Sequence, residues 1–264
     1  MASRYVFSET YADFEEEIGE IWELEGGYRL IDVEFIDDAF TGVFVDNNGA
    51  NAYEEDTDFD VFQEEIQERW DEDFDLVDLD YVDERWIAVF DKNFPQNSGG
   101  GYKLSEDLTG FAEFTQEMWD DGYSLSNVEY AEGNWISVFG NDFGGSAYST
   151  SDSLTGFKSA VASRRAEGFD LVAVEYAEDT WVSVFAKDSF HHTKYAIAQD
   201  LDEFQEKFEQ RSEQGYDLID YEQVDGVLLG IYEKPDSPTS ELSEDLNDLA
   251  VFDSLLDLTA SISI

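Results

Sequence analysis

Five variants of one short sequence succeed each other along this chain. The two clearest are VEYAEGNWISVF at 128–139 and VEYAEDTWVSVF at 174–185, identical at nine of twelve positions. Fainter copies are VEFIDDAFTGVF from Val33, LDYVDERWIAVF from Leu79 and YEQVDGVLLGIY from Tyr221. The aromatic residue ahead of each copy, Tyr28, Phe74, Tyr123, Phe169 or Tyr216, recurs every 46 to 49 residues. Repetition at this period builds stacked supersecondary units, none able to bury its apolar face alone, that share cores with their neighbours.

Within a unit, Phe62, Phe111, Phe157 and Phe204 lie twelve residues before that aromatic, with Phe14 two further back in the first copy. Four residues on come Ile18, Ile66, Thr115, Val161 and Phe208, and after four more Trp22, Trp70, Trp119, Arg165 and Ser212. Steps of four predict one apolar face on a helix of three to four turns. Gly27, Gly122, Gly168 and Gly215 supply its stop, where a left-handed residue is cheap for glycine, and Asp73 breaks the pattern in the second copy.

A leucine then opens an alternating strand. Its inward positions are Val33 and Phe35, Leu79 and Tyr81, Val128 and Tyr130, Val174 and Tyr176, and Tyr221 and Gln223. The intervening acids point to the opposite face. Four linking residues such as AEGN suit a hairpin with a type I turn. The next strand begins with Phe40, Trp86, Trp135, Trp181 or Leu228, placed to face the aromatic that ends the strand before. Two residues later a small residue recurs (Gly42, Ala88, Ser137, Ser183, Gly230), which reads as room for the helix backbone. A third short strand opens each unit around Tyr5, Tyr53, Tyr102, Tyr148 and Tyr195.

The expected fold is therefore α+β: five tandem β-α-β-β repeats, antiparallel sheet with helices on one face, forming a closed toroid or an open solenoid. The repeats occupy 1–234, with units near 1–52, 53–101, 102–147, 148–194 and 195–234. Residues 235–264 read as a polar linker, SPTSELSEDLND, and then a short helix through Leu249, Phe252 and Leu256. The ending DSLLDLTASISI suits a capping strand, since Ala260, Ile262 and Ile264 alternate with Thr259, Ser261 and Ser263. It also resembles the uncleaved C-terminal signals of bacterial type I secretion substrates.

Sixty-four acids against fourteen bases leave a formal charge of −50. Such a field repels nucleic acid and anionic lipid, and its self-repulsion calls for screening ions or divalent cations in the working medium. Aromatic residues at 16% of the chain provide core material enough to argue against disorder. With no cysteine, disulfides, thiolate metal sites and cysteine nucleophiles are excluded. No stretch approaches the length of a membrane span, and the start, MASRYVFSETYADFEEE, is unlike a signal peptide. Export of the type I kind is the favoured expectation, with the cytoplasm of a halophile as the alternative.

The unit also carries a Gly-aromatic exit from its helix and a W-x-x-V-F strand: Gly122, Tyr123, Trp135 and Phe139, then Gly168, Phe169, Trp181 and Phe185. In this it resembles the repeats in the N-terminal part of fungal polyglycine hydrolases and of plant casein-kinase-like proteins. In those families the repeats stand beside a catalytic domain, so the resemblance implies a binding or structural role and assigns no active-site residue.

Two sets of oxygen ligands are candidates for a metal, calcium being the cofactor to expect. The loops that vary most between copies place Asp46, Asn48 and Gly49 together, and Asn141 beside Asp142, although no copy has the full calcium-loop pattern. On the non-core face of the sheet, Asp32 pairs with Glu34, Asp78 with Asp80, Asn127 with Glu129 and Asp220 with Glu222, and Glu175 completes the series. These acids form either the solvated side of half-buried strands or a ladder of carboxylates that attracts cations and raises one another's pKa. The only histidines, His191 and His192, are adjacent and cannot both face one metal from an extended strand.

The function expected is that of a non-enzymatic acidic repeat protein, an extracellular or salt-exposed binding or structural module that associates with cations, its partners extending to protein or polysaccharide. A carboxylate-based, glycosidase-like hydrolase and a cytosolic protein-interaction scaffold are the alternatives.

Overall fold

A computed structural model describes residues 3–23, 27–36, 38–46, 50–92, 101–140, 145–187, 193–224 and 226–234. It resolves into five β-α-β-β units. Unit 1 comprises β1 (Arg4–Ser8), α1 (Tyr11–Trp22), β2 (Tyr28–Ile36) and β3 (Ala39–Asp46). Unit 2 follows with β4 (Asn51–Asp56), α2 (Phe59–Asp71), β5 (Asp75–Val82) and β6 (Arg85–Asp91). Unit 3 has β7 (Gly101–Ser105), α3 (Leu108–Asp120), β8 (Ser124–Ala131) and β9 (Asn134–Gly140). Unit 4 has β10 (Ser146–Ser151), α4 (Leu154–Ala166), β11 (Asp170–Ala177) and β12 (Thr180–Ala186). Unit 5 has β13 (Thr193–Ala198), α5 (Leu201–Glu213), β14 (Asp217–Val224) and β15 (Val227–Glu233).

Each helix begins at a side-chain cap. Thr10, Asp58, Asp107, Ser153 and Asp200 accept from backbone amides of the first turn, satisfying donors a helix start leaves orphaned. At the other end Gly122, Gly168 and Gly215 turn left-handed, with φ of 93°, 83° and 80°. The amides of Tyr123, Phe169 and Tyr216 then reach back into the last turn. Asp73 adopts the same conformation at φ 63°, so the second unit keeps the geometry at the cost of a side chain there.

The strands of every unit form a separate three-stranded antiparallel sheet, the opening strand on one edge, the hairpin's second strand in the centre and its first strand on the other edge. The registers place Phe35 opposite Phe40, Tyr81 opposite Trp86, Tyr130 opposite Trp135 and Tyr176 opposite Trp181, with ring centroids 5.1, 4.8, 5.0 and 5.2 Å apart. The hairpin turn corrects the expectation. Ala131 pairs with Asn134, so only Glu132 and Gly133 link the strands, both left-handed at φ 46° and 80°. Two residues with positive φ make a type I′ turn, whose twist matches that of the strands whereas type I would splay them.

The small residue beneath the helix accommodates a phenylalanine ring rather than the helix backbone. A Cβ added at Gly42 would lie 3.0 Å from the Phe14 ring, and one at Gly230 would lie 3.0 Å from both the Phe204 and Tyr232 rings. Replacing Gly230 with valine is therefore expected to lower stability by about 1–3 kcal/mol through overpacking, read from the midpoint of urea denaturation.

Each core is shared between neighbours. Phe14, Ile18, Leu30, Val33, Phe40 and Phe44 of unit 1 pack with Val82, Ile87 and Val89 of unit 2. Units 2 and 3, 3 and 4, and 4 and 5 repeat the arrangement. A fifth cluster joins Phe204, Leu218, Tyr221 and Tyr232 of unit 5 to Ile36 and Val43 of unit 1. Polar stitches follow the same rule. Asn51 Oδ1 accepts the Leu30 amide at 2.9 Å between units 1 and 2, and Ser146 Oγ accepts the Leu125 amide at 2.8 Å between units 3 and 4. Ser3 Oγ likewise accepts the Leu218 amide at 3.0 Å between units 1 and 5.

Candidate carboxylate centre

The first hairpin strands, β2, β5, β8, β11 and β14, lie against one another in succession, and β14 also lies against β2. Each carries a bulge at one place, between Leu30 and Asp32, Leu76 and Asp78, Leu125 and Asn127, Leu171 and Ala173, and Leu218 and Asp220. An extra residue resets the alternation. It lets Leu30 and Val33, three apart, both face the helix, and it turns Asp32 and Glu34 to the other side, toward the neighbouring unit.

On that side the acids are buried, against the reading of a solvated face. Asp32 and Asp78 are 2% exposed, Asp220 5%, Glu129 4%, Glu175 7% and Asp80 and Glu222 8%, while Glu34 is half-buried. The eight carboxylates Asp32, Glu34, Asp78, Asp80, Glu129, Glu175, Asp220 and Glu222 belong to one electrostatically coupled group. Burial is the first cause of a raised pKa in all of them. The charges of the other carboxylates raise Asp32, Glu34, Asp78, Glu129, Glu175 and Glu222 further. Asp80 and Asp220 are pushed up to about 7 and Glu175 to about 8. Glu129 and Glu175 hydrogen-bond each other, an arrangement that needs a shared proton.

Their partners differ from joint to joint. Asp78 Oδ2 accepts the Val33 amide at 3.2 Å and Asp78 Oδ1 accepts from Asn127 Nδ2 at 2.7 Å. Asp220 Oδ2 accepts the Val174 amide at 3.1 Å, and Asp80 Oδ1 accepts that of Tyr81 at 2.6 Å. These bonds satisfy amides on the free edge of the inner strands. Asn127 Nδ2 also donates to Glu129 at 3.2 Å, and the corresponding place in unit 4 is Ala173. Asp32 has only the backbone amide of Tyr221 as its partner, and the Oδ2 of Asp80 and the hydroxyl of Tyr221 are buried without a hydrogen bond. Tyr221 was legible as a core position, but its hydroxyl, standing where the other units carry Val33, Leu79, Val128 and Val174, was not.

Among the described residues no three Asp, Glu or His side chains are gathered closely enough to hold a metal as they stand. Asp46 ends β3, and its side chain lies outside the described part, as do Asn48, Gly49, Asn141, Asp142, His191, His192 and the tail 235–264. The sequence also did not signal the buried pair of Arg29 with Asp91, which ties unit 1 to unit 2. No helix among the described residues is long and apolar enough to cross a membrane. Comparison with protein-family models finds no match, and no curated protein matches the chain.

Proposed function

We propose that the five units close into a ring and that the protein is a non-enzymatic binding or structural module that takes up cations, calcium foremost, at the carboxylates gathered on its inner strands. The observation that carries this reading is the burial of Asp32 amid the charges of Asp78, Asp220 and Asp80, with only the Tyr221 backbone amide as its partner. A buried carboxylate in such company either keeps a proton or acquires a counterion. The donors are oxygens, the ligands of hard cations such as calcium. Closure is supported by the fifth core cluster and by the Ser3 stitch, which copies the stitches at other joints. The acid surplus suits an extracellular or salt-exposed setting that supplies the ions.

A glycosidase-like reading is disfavoured at Glu129 and Glu175, because two carboxyls hydrogen-bonded to each other leave no room for a sugar or a water between them.

Thermal melts of metal-stripped protein test the proposal, run with millimolar calcium and separately with sodium chloride at matched ionic strength. Calcium alone is expected to raise the midpoint, since an ion at about a hundred times its Kd adds about 2.7 kcal/mol. An equal rise with sodium would reduce the charge to an adaptation to salt and refute a specific site.

A further inference from the structure

We infer that the outer face of unit 4, presented by α4, is a docking surface for the acidic outer face of unit 2, presented by α2, on a second copy of this chain. The contact adds a partner to the structural module proposed above and does not depend on cations at the inner strands.

The five helices pack alike and differ in charge. α1 and α3 carry acids and no base, and α2 and α5 carry more acids than bases. α4 (LTGFKSAVASRRA) carries Lys158, Arg164 and Arg165 and no acid. Counted from the buried rings of Phe62 and Phe157, the exposed positions that hold Glu64, Gln67, Glu68 and Asp71 on α2 hold Ser159, Ala162, Ser163 and Ala166 on α4. Lys158, four residues before Ala162, and Arg165, three after it, border that smooth face. The opening strands repeat the contrast. β10 (SAYSTS) has no charged residue, whereas β4 (NAYEED) brings Glu54, Glu55 and Asp56 beside α2.

Two bodies of charge −50 repel each other, and the repulsion is least where one of them presents a face without acids. Unit 2 is the complement to that face. Burial and then the charges of Glu54, Asp56 and Glu55 raise the pKa of Glu65 on α2, and one of its oxygens has no hydrogen bond. Bases brought from outside relieve such crowding. One turn before Glu64 and Glu65 stands Val61, at 43% the most exposed large apolar side chain among the described residues. Ala162 and Ala166 offer it a small apolar seat, with Lys158 and Arg165 next to the acids, an apolar centre inside a charged rim. The contact joins two different patches, so each copy keeps one of the two faces free and further copies can add head to tail.

Sedimentation velocity of the full chain tests this, with a chelator present throughout so that the result is independent of cation uptake. The mass is expected to rise with protein concentration in about 0.15 M sodium chloride, where a screening length of about 8 Å mutes the repulsion of whole bodies and spares contact pairs. It should return to that of the monomer in about 0.01 M salt, where repulsion reaches about 30 Å, and in about 1 M, where contact pairs are screened as well. Ala162→Glu on α4 and Val61→Lys on α2 should each weaken association by at least about tenfold, whereas Gln205→Glu and Gln205→Lys on α5, equal changes of net charge, should not. All three positions are exposed and Glu and Lys are good helix formers, so the variants are expected to fold, with melting midpoints close to the parent's. An equimolar mixture of Ala162→Glu and Val61→Lys should associate again, because the first copy keeps an intact α2 and the second an intact α4. A parent protein that stays monomeric at every salt concentration overturns the proposal. So does a mixture as inert as its components, a loss of association in the Gln205 variants, or a Val61→Lys variant that associates like the parent, the result an α4-to-α4 contact would give.

Discussion

Stripped of divalent cations, the protein is expected to lose stability as the pH rises from about 5 to about 8, the reverse of ordinary acid denaturation. The sign follows from the carboxyls whose pKa is raised in the folded state, Asp80 and Asp220 to about 7 and Glu175 to about 8. The unfolded chain gives up these protons near pH 4, so below that pH both states are protonated and the stabilising contribution is fully present. It is lost as the pH climbs through the folded values, because the native state must then either hold protons the unfolded state has released or ionise in the dark of its own core. A carboxyl that titrates near 7 folded and near 4 unfolded costs about 4 kcal/mol to ionise, and two such groups rival the whole stability of a domain. The melting midpoint of metal-free protein should therefore fall by at least about 10 °C over this range. Glu175→Gln should flatten the slope and raise the midpoint at pH 8. A midpoint that climbs toward neutral pH would show that these groups ionise freely and that the centre is open to water.

Phe157→Ala is expected to cost about 3–5 kcal/mol, among the largest effects of any single truncation here. Its ring is fully buried, stacks on Trp181 at 4.9 Å within its own unit and meets Tyr195 of unit 5 edge-on at 5.3 Å. Truncation opens a cavity that no loop can fill, since helix, sheet and the next unit all border it. Because the ring belongs to two units at once, the loss should appear as one cooperative transition at a lower denaturant concentration, with the slope of unfolding unchanged. A separate early transition confined to units 4 and 5 would show that the units unfold independently, as those of an open array can.

The helices, the strand alternation and the facing aromatics were legible in the sequence because local spacing reports them directly. Phe111, Thr115 and Trp119 fall at helical steps, and Tyr130 and Trp135 at strand positions that a short turn must bring face to face. Even the bulge left a trace: Leu125 and Val128, three residues apart on one strand, can share a face only if an extra residue is inserted between them. The candidate site was half legible. Period two sent Asp78, Asp80 and Glu129 to the non-helical face, but whether that face meets water or another unit depends on the rotation between units, which no local pattern encodes. Nor could spacing show that Asp78 is held both by a neighbour's amide and by Asn127, whereas Asp32 has only the Tyr221 amide. The turn type was misread because four linking residues were counted where Ala131 and Asn134 already pair.

The bonds of Ser3 with Asp217 and Leu218 set an order of events during synthesis. On the ribosome unit 1 emerges first, yet Ile31, Ile36 and Val43 find their apolar partners in residues more than 150 positions later in the chain. The earliest unit made is thus the last to be completed. Until β14 and β15 are released, one flank of the nascent protein offers bare aliphatic surface, and a chain cut short before them would leave that flank for a chaperone or another nascent copy to cover.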